Sequence, residues 1–161
     1  LKKSNIKDVD FIMNLQGDEP AIDIQDIVRL NDKMLQNPSK IGTLASIIKE
    51  NKNLKNENIV KVITENALGE NNFPKGISFL RMSERIDNIY HHIGVYCYSK
   101  DSLEKFVQLS QSKNEIENRL EQLRALDNNI DINVSLAKSS PIGVDTEEDY
   151  LALKKIMEYK N

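Results

Sequence analysis

Short apolar runs, bounded by turn signals and half of them followed by a stretch with helical spacing, constrain this chain more than any other feature. Residues 8–16 (D-V-D-F-I-M-N-L-Q) end in Gly17-Asp18-Glu19-Pro20, as a buried strand does when it leaves a core. Residues 23–36 read as a helix whose apolar stripe is Ile24, Ile27, Val28, Leu30 and Leu35, closed by Asn37-Pro38-Ser39. Residues 42–49, 59–64 and 77–81 read as strands separated by polar loops. In His91 to Ser99 (H-H-I-G-V-Y-C-Y-S), side chains alternate between two faces. His92, Gly94, Tyr96 and Tyr98 share one face; His91, Ile93, Val95 and Cys97 share the other.

Helices are expected over 101–109 and 115–126, the second burying Ile116, Leu120 and Leu123, with a strand over 131–137. A last helix starts near Thr146 and offers Tyr150, Leu153, Ile156 and Met157 as its apolar face. Strands alternating with helices predict an α/β fold with a mixed sheet, in one domain over 1–161.

Composition narrows the function classes. A net charge of −3 with no long basic run argues against nucleic acid as partner. No apolar run is long enough for a membrane helix. The single cysteine, Cys97, excludes a disulfide framework and makes a reducing cytoplasm the expectation. Cys97 lies on the strand face opposite His92 and Tyr96, so it reads as packed rather than nucleophilic. Leu1 opens the chain within a polar segment, which reads as a fragment whose N-terminal part is absent.

Four constellations carry chemistry. Gln16-Gly17-Asp18-Glu19-Pro20 places an acid where ligands collect in open α/β sheets, and such an acid can hold magnesium beside substrate phosphates. A solvated D-E-P turn explains the same residues. In Gly143-Val144-Asp145-Thr146-Glu147-Glu148-Asp149 a capping box accounts for Thr146 and Asp149, and the helix dipole for the first-turn acids. Asp145 falls outside both explanations. His92-x-Gly94-x-Tyr96 offers an imidazole, a gap and a phenol, suited to hydroxyl or carboxylate recognition, or to a half-buried strand with polar tips. Arg119-Leu120-Glu121-Gln122-Leu123-Arg124 reads as helix surface, with Glu117, Glu121 and Arg124 as i,i+4 and i,i+3 neighbours.

In this order, N-L-Q-G-D-E-P, H-H-I-G-V-Y, R-L-E-Q-L-R-A-L and G-V-D-T-E-E-D resemble the 3-deoxy-D-manno-octulosonate (Kdo) cytidylyltransferases, with N-E-N-I-V-K-V-I-T at 56–64 as a further match. The resemblance runs from Asp10 to Met157. It implies a Rossmann-like, GT-A-like nucleotidyltransferase sheet flanked by helices, lacking its N-terminal nucleotide loop. It implies transfer of CMP from CTP to Kdo with release of pyrophosphate, for lipopolysaccharide biosynthesis, in a cytoplasmic homodimer. Asp18 and Asp145 would be the catalytic, magnesium-binding carboxylates. Gln16, His92, Tyr96, Glu121 and Gln122 match positions near the sugar acid. The stretch from Phe79 to Arg85 departs from the family pattern by lacking its Ile-Pro, which puts that loop's sugar contacts in question. A cytidylyltransferase for the 8-amino analogue of Kdo or another sugar acid, or a truncated non-catalytic dimerisation or sugar-binding module, are the alternatives.

Overall fold

The structure, a computed structural model, describes residues 9–17, 21–138 and 147–158. Its elements are β1 (Phe11–Leu15), α1 (Ile24–Gln36), β2 (Ile41–Ser46), β3 (Lys61–Thr64), β4 (Gly76–Leu80), β5 (Ile89–Ser99), α2 (Lys100–Phe106), α3 (Lys113–Asn118), α4 (Leu123–Asp127), β6 (Ile132–Leu136) and α5 (Glu147–Glu158). A short 3-10 turn, Asn51–Leu54, lies in the loop expected before β3 and buries Leu54.

All six strands form one sheet in the order β4-β3-β5-β2-β6, with β1 also paired to β5. The sheet is mixed: β2 and β6 are parallel and the other pairs antiparallel. At 11 residues, β5 is long enough to serve three partners. One of its edges takes β2 along 91–98, so β3 (at 89–91) and β1 (at 95–99) share the other edge end to end. Because β1 and β2 both run against β5 and β6 runs with β2, the C-terminal ends of β1, β2 and β6 emerge on one side of the sheet.

Alternation sorts the core as expected. Ile93, Val95 and Cys97 pack with Leu44 against Leu30 and Met34 of α1. Tyr96 and Tyr98, on the opposite face, pack with Phe106, Leu120, Leu123, Ala125 and Ile132. Cys97 is 1% exposed, and burial pushes its thiol up to about 11, which suits packing rather than reaction.

Three expectations need correction. First, α1 buries only part of the stripe read from its spacing: Leu30 is buried and Ile27 half-buried, but Ile24, Val28 and Leu35 are exposed, and Asp26, Lys33 and Met34 are buried in their place. The helix is rotated because Asp26 is held at the end of β6. Its Oδ1 accepts from the backbone N of Lys138 at 3.0 Å and pairs with Arg29, which also reaches the carbonyl of Leu136. Second, the helix expected over 115–126 is two helices. Arg119 caps α3 in the left-handed region at φ 54, turning the chain before α4 and leaving Ile116 exposed. Third, Tyr150 of α5 is exposed, whereas Leu153 is buried.

The exposure pattern on α1 can be checked by denaturant unfolding. Leu30→Ala should cost roughly 2–5 kcal/mol, as for a fully buried leucine, whereas Ile24→Ala should stay within about 0.5 kcal/mol.

Candidate functional site

At the end of β1 the chain turns out of the sheet, and Gln16 comes to lie beside Gly94. A Cβ placed on Gly94 would stand 2.9 Å from Gln16 Oε1. The missing side chain at Gly94 is therefore what admits Gln16, since any methyl there would displace the amide. The gap read between His92 and Tyr96 is real, and Gln16 occupies it.

His92 is 6% exposed and sits between two aromatic rings. Phe79 meets it edge-on at 5.1 Å and Tyr96 lies tilted at 5.6 Å. The series continues through Tyr98 to Phe106, with Arg124 stacked on Phe106 at 4.9 Å. Burial, reinforced by neighbouring His91, lowers His92 to about 3, so its imidazole is neutral across physiological pH. Tyr96 and Tyr98 are each 7% exposed. Burial raises both phenols, Tyr98 to about 12, and Glu121 adds to the effect; both are neutral.

Glu121 and Gln122 stand in the bend between α3 and α4, where they close a narrow crevice with Tyr96, Tyr98, Phe106 and Ala125. Glu121 also borders an open groove of about 440 Å³ with Gln111, Glu115, Arg119 and Arg124, a volume within the usual range of small-ligand clefts. Gln122 is buried and Glu121 exposed, so the crevice pairs neutral donors with one solvated carboxylate.

Two arginines shape this bend, and neither role followed from sequence spacing. Arg124 keeps the expected i,i+3 contact with Glu121, but its main partner is elsewhere. It grips Glu115 with two parallel bonds, Nε to Oε2 at 2.8 Å and Nη2 to Oε1, and meets Glu121 only at 3.4 Å. Glu115 is 4% exposed and also accepts from Gln111 and from the Ser112 backbone in a capping box. Its hydrogen bonds to Arg124 hold its carboxyl down at about 2. Just after β4, Arg81 donates to the carbonyls of Asn118, Arg119 and Glu57. The fully buried Lys61 donates in turn to the carbonyls of Arg81 and Asn56. Desolvation, then the Arg81 charge, lowers the Lys61 pKa. Within the stretch that departs from the family pattern, Arg81 is thus engaged with backbone.

The structure brings Gln16, His92, Tyr96, Glu121 and Gln122 to one face of the sheet. Asp18 and Asp145 lie outside the described residues. In sequence they follow β1 and β6, whose C-terminal ends emerge on the same side, and Asp26 holds the backbone of Lys138 just after β6. Among the described residues there is no group of three or more His, Cys, Asp or Glu able to hold a metal, and no helix is long and apolar enough to cross a membrane. Sequence reading passed over Glu115, whose only signal was the Ser112-x-x-Glu115 capping box. It also passed over Thr43, whose buried hydroxyl lies 3.0 Å from Nε2 of His92.

The family profile described as Cytidylyltransferase matches residues 1–132. The chain belongs to the cytidylyltransferase family. Over 148 residues it is 37% identical to the 3-deoxy-manno-octulosonate cytidylyltransferase of Bartonella tribocorum, covering 91% of this chain and 60% of that protein. The Bartonella henselae protein of the same name is 38% identical over the same coverage. The chain thus spans about 60% of the length of these relatives. Among solved structures, a CMP:2-keto-3-deoxy-manno-octonic acid synthetase complexed with CTP superposes with a TM-score of 0.83 at 26% identity, over 96% of this chain and 64% of that one. A 4-diphosphocytidyl-2C-methyl-D-erythritol synthase from Anaerococcus prevotii shares the fold at TM-score 0.59 and 12% identity. The expected nucleotidyltransferase fold is what the family and the superposition show.

Two measurements test the site. Glu115 is depressed in the fold, so its contribution is complete above the ordinary value of 4.5 and disappears as pH falls towards about 2. Glu115→Gln should therefore lower Tm at pH 7 and lose most of that deficit by pH 3; an equal deficit at both pH values would contradict the assignment. Gly94→Ala should displace Gln16 while costing stability only about 1 kcal/mol, because the group it meets is a flexible amide, as a structure of the variant and its melting curve would reveal.

Proposed function

We propose that the protein transfers CMP from CTP to Kdo, releasing pyrophosphate, as a step in lipopolysaccharide biosynthesis. The observation that carries this reading is the single sheet face on which Gln16, the neutral His92 and Tyr96, and the Glu121–Gln122 bend converge. A polyhydroxylated acid needs many uncharged donors and acceptors with a carboxylate to receive hydroxyl protons. This face supplies that set without a nucleophile. Identity of 36–38% with relatives bearing the Kdo cytidylyltransferase name supports the choice of sugar.

In this reading the anomeric hydroxyl of Kdo attacks the α-phosphorus of CTP, and pyrophosphate leaves. Gln16 and Tyr96 orient the sugar acid, His92 accepts a hydrogen bond from one of its hydroxyls, and Glu121 with Gln122 encloses the far side of the sugar. Asp18 and Asp145 would hold magnesium. Carboxylate oxygens suit that ion, and the strands that precede the two residues, β1 and β6, end on one side of the sheet. When bound, the ion neutralises phosphate charge and acidifies the attacking hydroxyl. The protein would work in the cytoplasm as a homodimer, as the family likeness implies.

The native protein supplied with CTP, Kdo and magnesium should form CMP-Kdo and pyrophosphate in equal amounts. Asp18→Ala and Asp145→Ala should each reduce the rate at least about a hundredfold while melting normally. Undiminished pyrophosphate release from both variants would remove the metal assignment, and no product from the wild type would remove the function.

A further inference from the structure

The ladder between β2 and β5 breaks where the proposed sugar site begins. Thr43 lies opposite Tyr96, but the next residue, Leu44, lies opposite Ile93. Gly94 and Val95 are therefore two extra residues on β5, and a break of this kind frees backbone groups that the sheet would otherwise pair. Thr43, with no exposed surface, sits inside the break. Its Oγ1 lies 2.8 Å from the Val95 carbonyl, 3.3 Å from the Ile93 carbonyl and 3.0 Å from Nε2 of His92.

A threonine hydroxyl has one proton to give and lone pairs to receive with. The carbonyls can only accept, so the proton goes to Val95, the nearer of them. The oxygen must then receive from His92, which requires the hydrogen of the ring to be on Nε2. A neutral ring protonated there carries none on Nδ1.

We propose that Thr43 is a positioning residue for the sugar-acid site: its hydroxyl bridges the β5 break to His92 and so fixes His92 as an acceptor at Nδ1. The ligand in this proposal rests on the function proposed above; the tautomer rests on the hydrogen bonds alone. Thr43 would not touch substrate. It would decide which hydrogen bond the imidazole offers, namely acceptance from a sugar hydroxyl.

Long-range proton–nitrogen NMR of the native protein tests this directly, since the chain has two histidines and His91→Gln assigns the other ring. The wild type should show His92 neutral and protonated at Nε2. Thr43→Val, which keeps the shape and deletes the hydroxyl, should lose that single tautomer. It should also raise KM for Kdo about tenfold, the effect of one misoriented hydrogen bond, with kcat changed less than about threefold. Thr43→Ser should restore both readouts. A wild-type ring protonated at Nδ1 overturns the proposal even should the valine variant fail to fold, and so does a folded valine variant with unchanged tautomer or unchanged KM. A wild type protonated at Nε2 that forms no CMP-Kdo supports the Thr43–His92 bond and overturns the sugar-acid reading instead.

Discussion

Everything in this fold hangs on β5 and on the parity of its pleat. The strand pairs with three others, and its two faces serve two cores: aliphatic packing against α1, and an aromatic series against α2 to α4. The break at Gly94–Val95 adds two residues to one strand, an even number. A one-residue slip would send every later side chain to the wrong face, exchanging Tyr96 and Tyr98 for Cys97. Two extra residues bend the ladder and keep the faces intact. At the break the buried Thr43 hydroxyl donates to the Val95 carbonyl, with that of Ile93 also near it.

The same break makes room for chemistry. Gly94 falls where β3 and β1 share an edge of β5, and the absence of a side chain there admits Gln16. Around that point the groups are kept neutral by burial, while the charged side chains nearby, the buried Lys61 and Glu115 among them, are each tied. Glu115 is gripped by Arg124, Arg81 by three backbone carbonyls, and Lys61 by two more. Such ties cost desolvation that only full hydrogen bonding offsets, and their return is geometric: they set the bend that presents Glu121 and Gln122.

Much of this was legible beforehand for a plain reason. Strand alternation has a period of two, so the partition of His92, Tyr96 and Tyr98 from Ile93, Val95 and Cys97 follows from counting. Helical stripes are less decisive. On α1 the apolar stripe held for Leu30 but not for Ile24, Val28 and Leu35, because a buried carboxylate at Asp26 found the Lys138 amide and turned the helix partly away from its own pattern. In 115–126, periodicity carried straight through Arg119, since nothing in the spacing reveals that one non-glycine residue takes a left-handed turn.

What the sequence determined by itself is local and periodic: the sequence of strands and helices, the two faces of β5, the unreactive Cys97, and the ordered motifs that resemble the Kdo cytidylyltransferases. The tertiary structure decided which distant groups meet. Gln16 reaches Gly94, Thr43 reaches His92, and Arg81 reaches Asn118, each across 37 residues or more of chain. Hydrogen bonds of that kind have no period. They form only once strand pairing has set the register, which is why they could be seen in the fold and not in the spacing of the residues.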